Sequence, residues 1–97
     1  MNLNYSTRPF PAHPYAQAAI ISFSDGTTGL LSYNTVVAEI TSQGWLIVHG
    51  LYSATTRRHI GWFMKYMLDM DYATAKRLCL NNLMLNVETK VEKKWGE

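Results

Sequence analysis

From Tyr52 to His59 the chain reads Tyr-Ser-Ala-Thr-Thr-Arg-Arg-His, the stretch richest in groups that do chemistry. Hydroxyls, two guanidinium groups and an imidazole crowd the place where the apolar spacing changes from about two to about 3.6 residues. That change marks the start of a helix. A helix start offers unpaired N–H groups and the positive end of the helix dipole, which together favour an anion. Ser53, Thr55 and Thr56 are candidate donors to a phosphate or carboxylate there, and Arg57 and Arg58 are candidate charge clamps. The competing reading is that Ser53 caps the helix, Thr55 and Thr56 satisfy its first turn, and the arginines are solvated. Every helix needs caps and few hold anions, so capping carries more weight. One and two turns on, Trp62 and Tyr66 form a second apolar stripe, which suits either burial under the N-terminal arm or an oligomer contact.

Other chemistries have less support. His49, His59 and Cys79 could be combined as zinc ligands or as a thiol–imidazole pair, but there is no second cysteine and no metal-ligand spacing. His59 falls on the side of the helix that carries Phe63, which suits a buried structural histidine. Cys79 lies on an apolar stripe and reads as a small core residue. Asp69 and Asp71, two apart in a helix connection, are explained by turn and cap duties. The sequence has no glycine-rich phosphate loop, no serine elbow and no paired acids at strand ends. No catalytic residue, metal or cofactor is assigned, and the expectation is a protein that is not an enzyme.

The 97 residues are 47% hydrophobic and 16% charged, enough apolar material for one core and few charges to keep the surface bare of neighbours. Self-association is therefore expected. The net charge of +2 is uneven. Up to Thr56 the chain has Arg8 against Asp25 and Glu39, whereas beyond it eight basic residues face five acidic ones. This bias toward anions falls short of a nucleic-acid arm. The single cysteine and the absence of a leader-like or membrane-spanning apolar run point to a reducing cytoplasm, with no membrane association.

One α+β domain over residues 1–97 must position these groups. Residues 1–17 hold all three prolines, at 9, 11 and 14, and form an extended arm whose Leu3, Tyr5, Phe10 and Tyr15 are expected to pack; an edge strand near Leu3–Ser6 is allowed. Residues 18–50 read as an antiparallel meander of about four strands: Ala18–Ser24, Gly29–Tyr33, Thr35–Thr41 and Trp45–His49. Asp25-Gly26, Asn34 and Ser42-Gln43-Gly44 make the turns. Residues 53–82 give two helices covering one sheet face. The first places Ile60, Phe63, Met64 and Met67 inward, and the second runs from Tyr72 to about Leu80 behind an Asp71 cap. Gly61, inside the first helix, suggests close approach of another backbone. Leu83–Val91 alternates apolar and polar residues and reads as a last strand, although Leu83, Val87 and Val91 would also align on a helix.

Two strings, Leu31-Ser32-Tyr33-Asn34-Thr35-Val36-Val37-Ala38 and Tyr52-Ser53-Ala54-Thr55-Thr56-Arg57-Arg58-His59-Ile60, carry a resemblance. With Gly29 to Phe63 around them, they are similar to a family of small phage and mobile-element proteins of Gram-positive bacteria. The family pattern runs Ser-Tyr-x-Thr-x-Val-Ala, then Tyr-Ser-x-Thr-Thr-x-x-His-Ile. The resemblance implies a context in which small proteins bind partners, for example to inhibit a host defence system such as CRISPR-Cas. The expectation is a non-enzymatic module with a protein partner, working through Ser53, Thr55, Thr56, Arg57, Arg58, Trp62 and Tyr66. The alternative is an accessory protein that binds a nucleic-acid or nucleotide phosphate at the Ser53 helix start.

Overall fold

The structure, a computed structural model, describes residues 4–96. Leu3 of the expected arm and Glu97 of the tail lie outside them. Seven strands and two helices follow one another as β1 (Tyr5–Pro9), β2 (Ala18–Phe23), β3 (Thr28–Ser32), β4 (Thr35–Ile40), β5 (Trp45–Val48), α1 (Ala54–Leu68), α2 (Tyr72–Leu80), β6 (Leu83–Asn86) and β7 (Glu92–Lys94). The strands form one antiparallel sheet in sequence order. The expected α+β class and the four central strands are present. The number of strands is a correction, from about four to seven, and the three additional ones lie at both edges.

At one edge, half of the expected arm is a strand. Tyr5 to Pro9 pair in unbroken register with Phe23 to Ala19. Pro9 ends that strand, where a missing N–H costs no inner ladder bond. Phe10 then turns under the helices and is 2% exposed, whereas Tyr15, expected to pack, is 97% exposed. At the other edge, the expected strand Leu83–Val91 is broken into a hairpin. The physical reason is Asn86, whose side-chain oxygen accepts from the N–H groups of Glu88 and Thr89 and whose amide donates to the carbonyl of Gln43. These bonds fold residues 87–91 into a turn, with Lys90 at φ 67°. The chain returns as β7, and Arg77 of α2 grips Glu92 of β7 by two bonds of 2.7 Å.

One sheet face holds the core. Ile20, Leu30, Ala38 and Val48 lie in register across β2 to β5 and pack with Ile60, Phe63 and Met64 of α1 and Ala75 and Leu78 of α2. A bulge between Leu30 and Leu31 leaves Val37 as the extra residue of β4, so Val37 and Ala38 both reach the core. The first helix ends at Asp69 in the left-handed region, whose N–H donates to the carbonyl of Lys65. Asp71 precedes α2 as expected, but its carboxylate makes no capping bond.

Candidate functional site

Two arrangements emerge from the residues singled out above, one buried and one open. The buried one begins at Ser53, whose hydroxyl oxygen accepts from the Thr56 N–H at 3.2 Å, the expected cap. The Ser53 hydroxyl donates to Thr56 Oγ1 at 3.3 Å. Thr56 Oγ1 lies 3.1 Å from Ser32 Oγ, and Ser32 Oγ lies 2.8 Å from His59 Nδ1. The two strings that carried the family resemblance thus meet in one hydrogen-bonded chain. In the neutral tautomer of His59 that carries its proton on Nε2, donation runs in a single direction, Ser53 to Thr56 to Ser32 to Nδ1. Burial first, and then the electrostatic influence of Arg58 and His13, holds the His59 pKa below its ordinary 6.5 and favours the neutral ring.

A serine hydroxyl on an imidazole nitrogen is the geometry of an activated nucleophile. Ser32 and His59 are each 2% exposed, however, and none of the three main cavities is lined by either residue. The chain pins α1 to the end of β3. Thr56, not Thr55, supplies the inward hydroxyl; Thr55 is half-buried beside it. Flanking the chain, Tyr33 and Tyr52 both sit at positive φ, 55° and 50°, a conformation that costs a bulky residue on the order of 1–3 kcal/mol. The Tyr33 ring stands 5.8 Å from that of His59. The Tyr52 ring covers Gly50, where a Cβ would come within 2.8 Å of it.

The open arrangement lies on the outer side of α1. Phe10 meets Trp62 and Tyr66 edge-on at 6.1 and 5.9 Å, and His13 stacks flat on Trp62 at 3.7 Å. The proline-bearing segment after β1 therefore closes over the second stripe only in part. It leaves a groove of about 390 Å³ between Pro11, Ala12 and His13 on one side and Gly61, Lys65 and Tyr66 on the other. Tyr66 remains 51% exposed. Gly61 does not mark a backbone contact: a Cβ there would meet only Tyr72, at an ordinary 3.7 Å. It sits instead at the edge of the groove, among its lining residues.

Arg57 and Arg58 are exposed, one helical turn before Gly61 and Trp62, and form no ion pair among the described residues. The expected site residues thus divide. Ser53, Thr55 and Thr56 belong to or border the buried chain, Trp62 and Tyr66 line the groove, and the two arginines stand at its N-terminal end. Phe10 packs as expected of the arm, whereas Ser32 and His13 were missed, because each reaches α1 from a distant part of the sequence. The only sequence signal for Ser32 was its place in the first of the two strings.

His49 pairs with Glu39 at 2.7 Å, and Cys79 is half-buried with its thiol pKa raised by burial. No cluster of three or more His, Cys, Asp or Glu side chains among the described residues could hold a metal ion. No helix among them is long and apolar enough to cross a membrane.

Fold and site define a small α+β protein with a meandering sheet, a helix layer pinned by a buried hydroxyl–imidazole chain, and an aromatic groove. The chain belongs to a family of unknown function (DUF8033), which it matches over residues 11–78. That span contains the whole buried chain and the groove apart from Phe10. No curated protein and no solved structure matches it.

Proposed function

We propose that the protein is a non-enzymatic binding module of a phage or mobile element, acting by protein–protein contact on a host component such as a defence nuclease. The observation that carries this reading is the preformed groove: Phe10, Trp62 and Tyr66 present a rigid aromatic wall before any partner arrives. Aromatic anchors in such pockets dominate protein interfaces, because they bring large contact area at low entropic cost. Arg57 and Arg58 bring unpaired positive charge to the approach, the Lys65 ammonium being paired with Asp69, and this suits a partner segment carrying an apolar side chain beside an acidic one. The role of Ser53 and Thr56 in this reading is to hold α1 in place.

The exposed arginine pair beside aromatic rings favours one alternative, binding of a nucleic-acid or nucleotide phosphate. Affinity capture from extracts of the cells that carry the gene, with the natural protein and with Tyr66→Ala, separates the two. The substitution removes a half-exposed ring from the groove wall and leaves both arginines in place. A protein retained by the natural chain and lost by the variant supports the groove. Nucleic acid retained equally by both, and released by salt, supports the alternative.

A further inference from the structure

One side chain touches both arrangements. His59 ends the buried hydroxyl chain through Ser32 and Thr56, and its ring lies 5.1 Å from that of Trp62 in the groove wall. His13 stacks on the same indole, so Trp62 contacts two imidazoles. The groups that face His59 or act on it are Ser32 and Tyr33 from β3 and the turn after it, Thr56, Arg58 and Trp62 from α1, and His13 from the segment after β1. Arg58 is positive, His13 can only become so, and Tyr33 brings a ring without a counter-charge. No carboxylate pairs with His59 among the described residues. The Trp62 and Tyr33 rings are tilted to it by 44° and 48°, so neither offers the square face that a cation–π contact uses. A charged ring here has no counter-ion.

We propose that His59 is a proton-operated latch on the groove: neutral, it holds the start of α1 and Trp62 in place, and charged, it releases them together with the segment over Trp62. The direction of the hydrogen-bond chain is the reason. A neutral Nδ1 accepts, whereas a charged ring only donates, so Ser32 and Thr56 must turn round and the Ser53 hydroxyl loses Thr56 Oγ1 as its acceptor. The ring is 2% exposed and cannot hydrate its charge without displacing Trp62 or Tyr33. The parts beside it are thinly anchored. Ser53, Ala54, Arg57 and Arg58 are exposed, as are Pro11, Ala12, Pro14 and Tyr15, whereas Ile60, Phe63 and Met64 further along α1 are fully buried. Opening therefore stays local. That the latch regulates binding rests on the groove being the working surface; the latch itself does not.

Amide exchange of the full chain between about pH 8 and pH 5, corrected for the intrinsic effect of pH, tests the proposal alongside an NMR titration of the His59 ring. Protection from Thr56 to Trp62 is expected to fall on the order of tenfold for each pH unit below the His59 midpoint, while the amides of Leu30, Val37 and Val48 keep theirs. The amides of His13 and Ala16, bonded within the segment over Trp62, should lose protection with the same midpoint. His59→Gln should abolish the step and His13→Gln should leave it. If His59→Gln does not fold, the coincidence of the two midpoints in the natural chain still decides. Equal loss of protection in helix and strands overturns the proposal, as does unchanged protection. A step that follows the His13 ring, or one that leaves the His13 and Ala16 amides unmoved, overturns it as well. The measurement needs no partner, so failure of the latch is seen separately from failure of the groove in the capture experiment.

Discussion

His59 shows how a single side chain can be chemically prominent and still serve the fold. Its Nδ1 is occupied by Ser32, whose hydroxyl is in turn reached by Thr56. Replacing Ser32 with alanine leaves a buried nitrogen and a buried hydroxyl short of a partner, and should lower the unfolding free energy by about 1–3 kcal/mol in urea titrations. The same geometry predicts a pH dependence. Burial depresses the folded pKa of His59 below the ordinary 6.5 of the unfolded chain, so below 6.5 the unfolded state binds more protons. Above that pH both states are neutral and the contribution is fully present. It falls as pH drops through the folded pKa, where the buried ring must charge and the hydrogen-bond chain must reverse. Thermal melts between pH 8 and pH 5 should therefore show stability declining on the acid side, with a shallower decline in His59→Gln. The Ser53 cap was readable from residue type alone, because caps act within four residues. The partnership of Ser32 with His59 was not, since it joins positions 27 apart and depends on the sheet's register.

At the scale of elements, α1 carries a glycine in its interior that no close backbone contact requires. Alanine at position 61 would meet Tyr72 at ordinary contact distance and should raise stability by about 0.5–1 kcal/mol, seen as a higher urea midpoint. Were the midpoint to fall, Gly61 would be serving a backbone approach after all. The central strands were legible because β-branched runs alternate with turn residues such as Asp25-Gly26. The edges were not. β1 carries a proline and is exposed throughout, so nothing in its own composition marks it as paired; β2 supplies the pairing. The tail alternated through Asn86 as a continuous strand would, and only that side chain's bonds to Glu88 and Thr89 turn it back. Arg77 and Glu92 tie the resulting hairpin to α2, but at the surface, where solvent screens the pair. Glu92→Gln should leave the global midpoint nearly unchanged while amide exchange speeds up between Leu83 and Lys94.

For the whole molecule, the two sides divide the work. One sheet face and the helices make the core, the other sheet face is apolar and open, and the groove lies beyond α1 where the segment after β1 folds back. Composition foreshadowed this, since a chain so poor in charge has more apolar surface than one core can hide. The groove's far wall was legible in part: the N-terminal arm was one expected cover for the Trp62 and Tyr66 stripe, but nothing marked His13 as the residue that stacks on Trp62. The central claim is that the groove, rather than the arginine pair at the helix start, engages the partner. It is tested by the affinity of the captured partner for the natural chain, for Tyr66→Ala and for Arg57→Ala/Arg58→Ala, each at low and high salt. Removing the Tyr66 ring from the groove wall is predicted to weaken binding at least about tenfold, as loss of a central aromatic anchor does. Removing the arginines is predicted to change it only modestly and mainly at low salt, as rim charges do. Binding that survives Tyr66→Ala but collapses with the arginines would contradict the account.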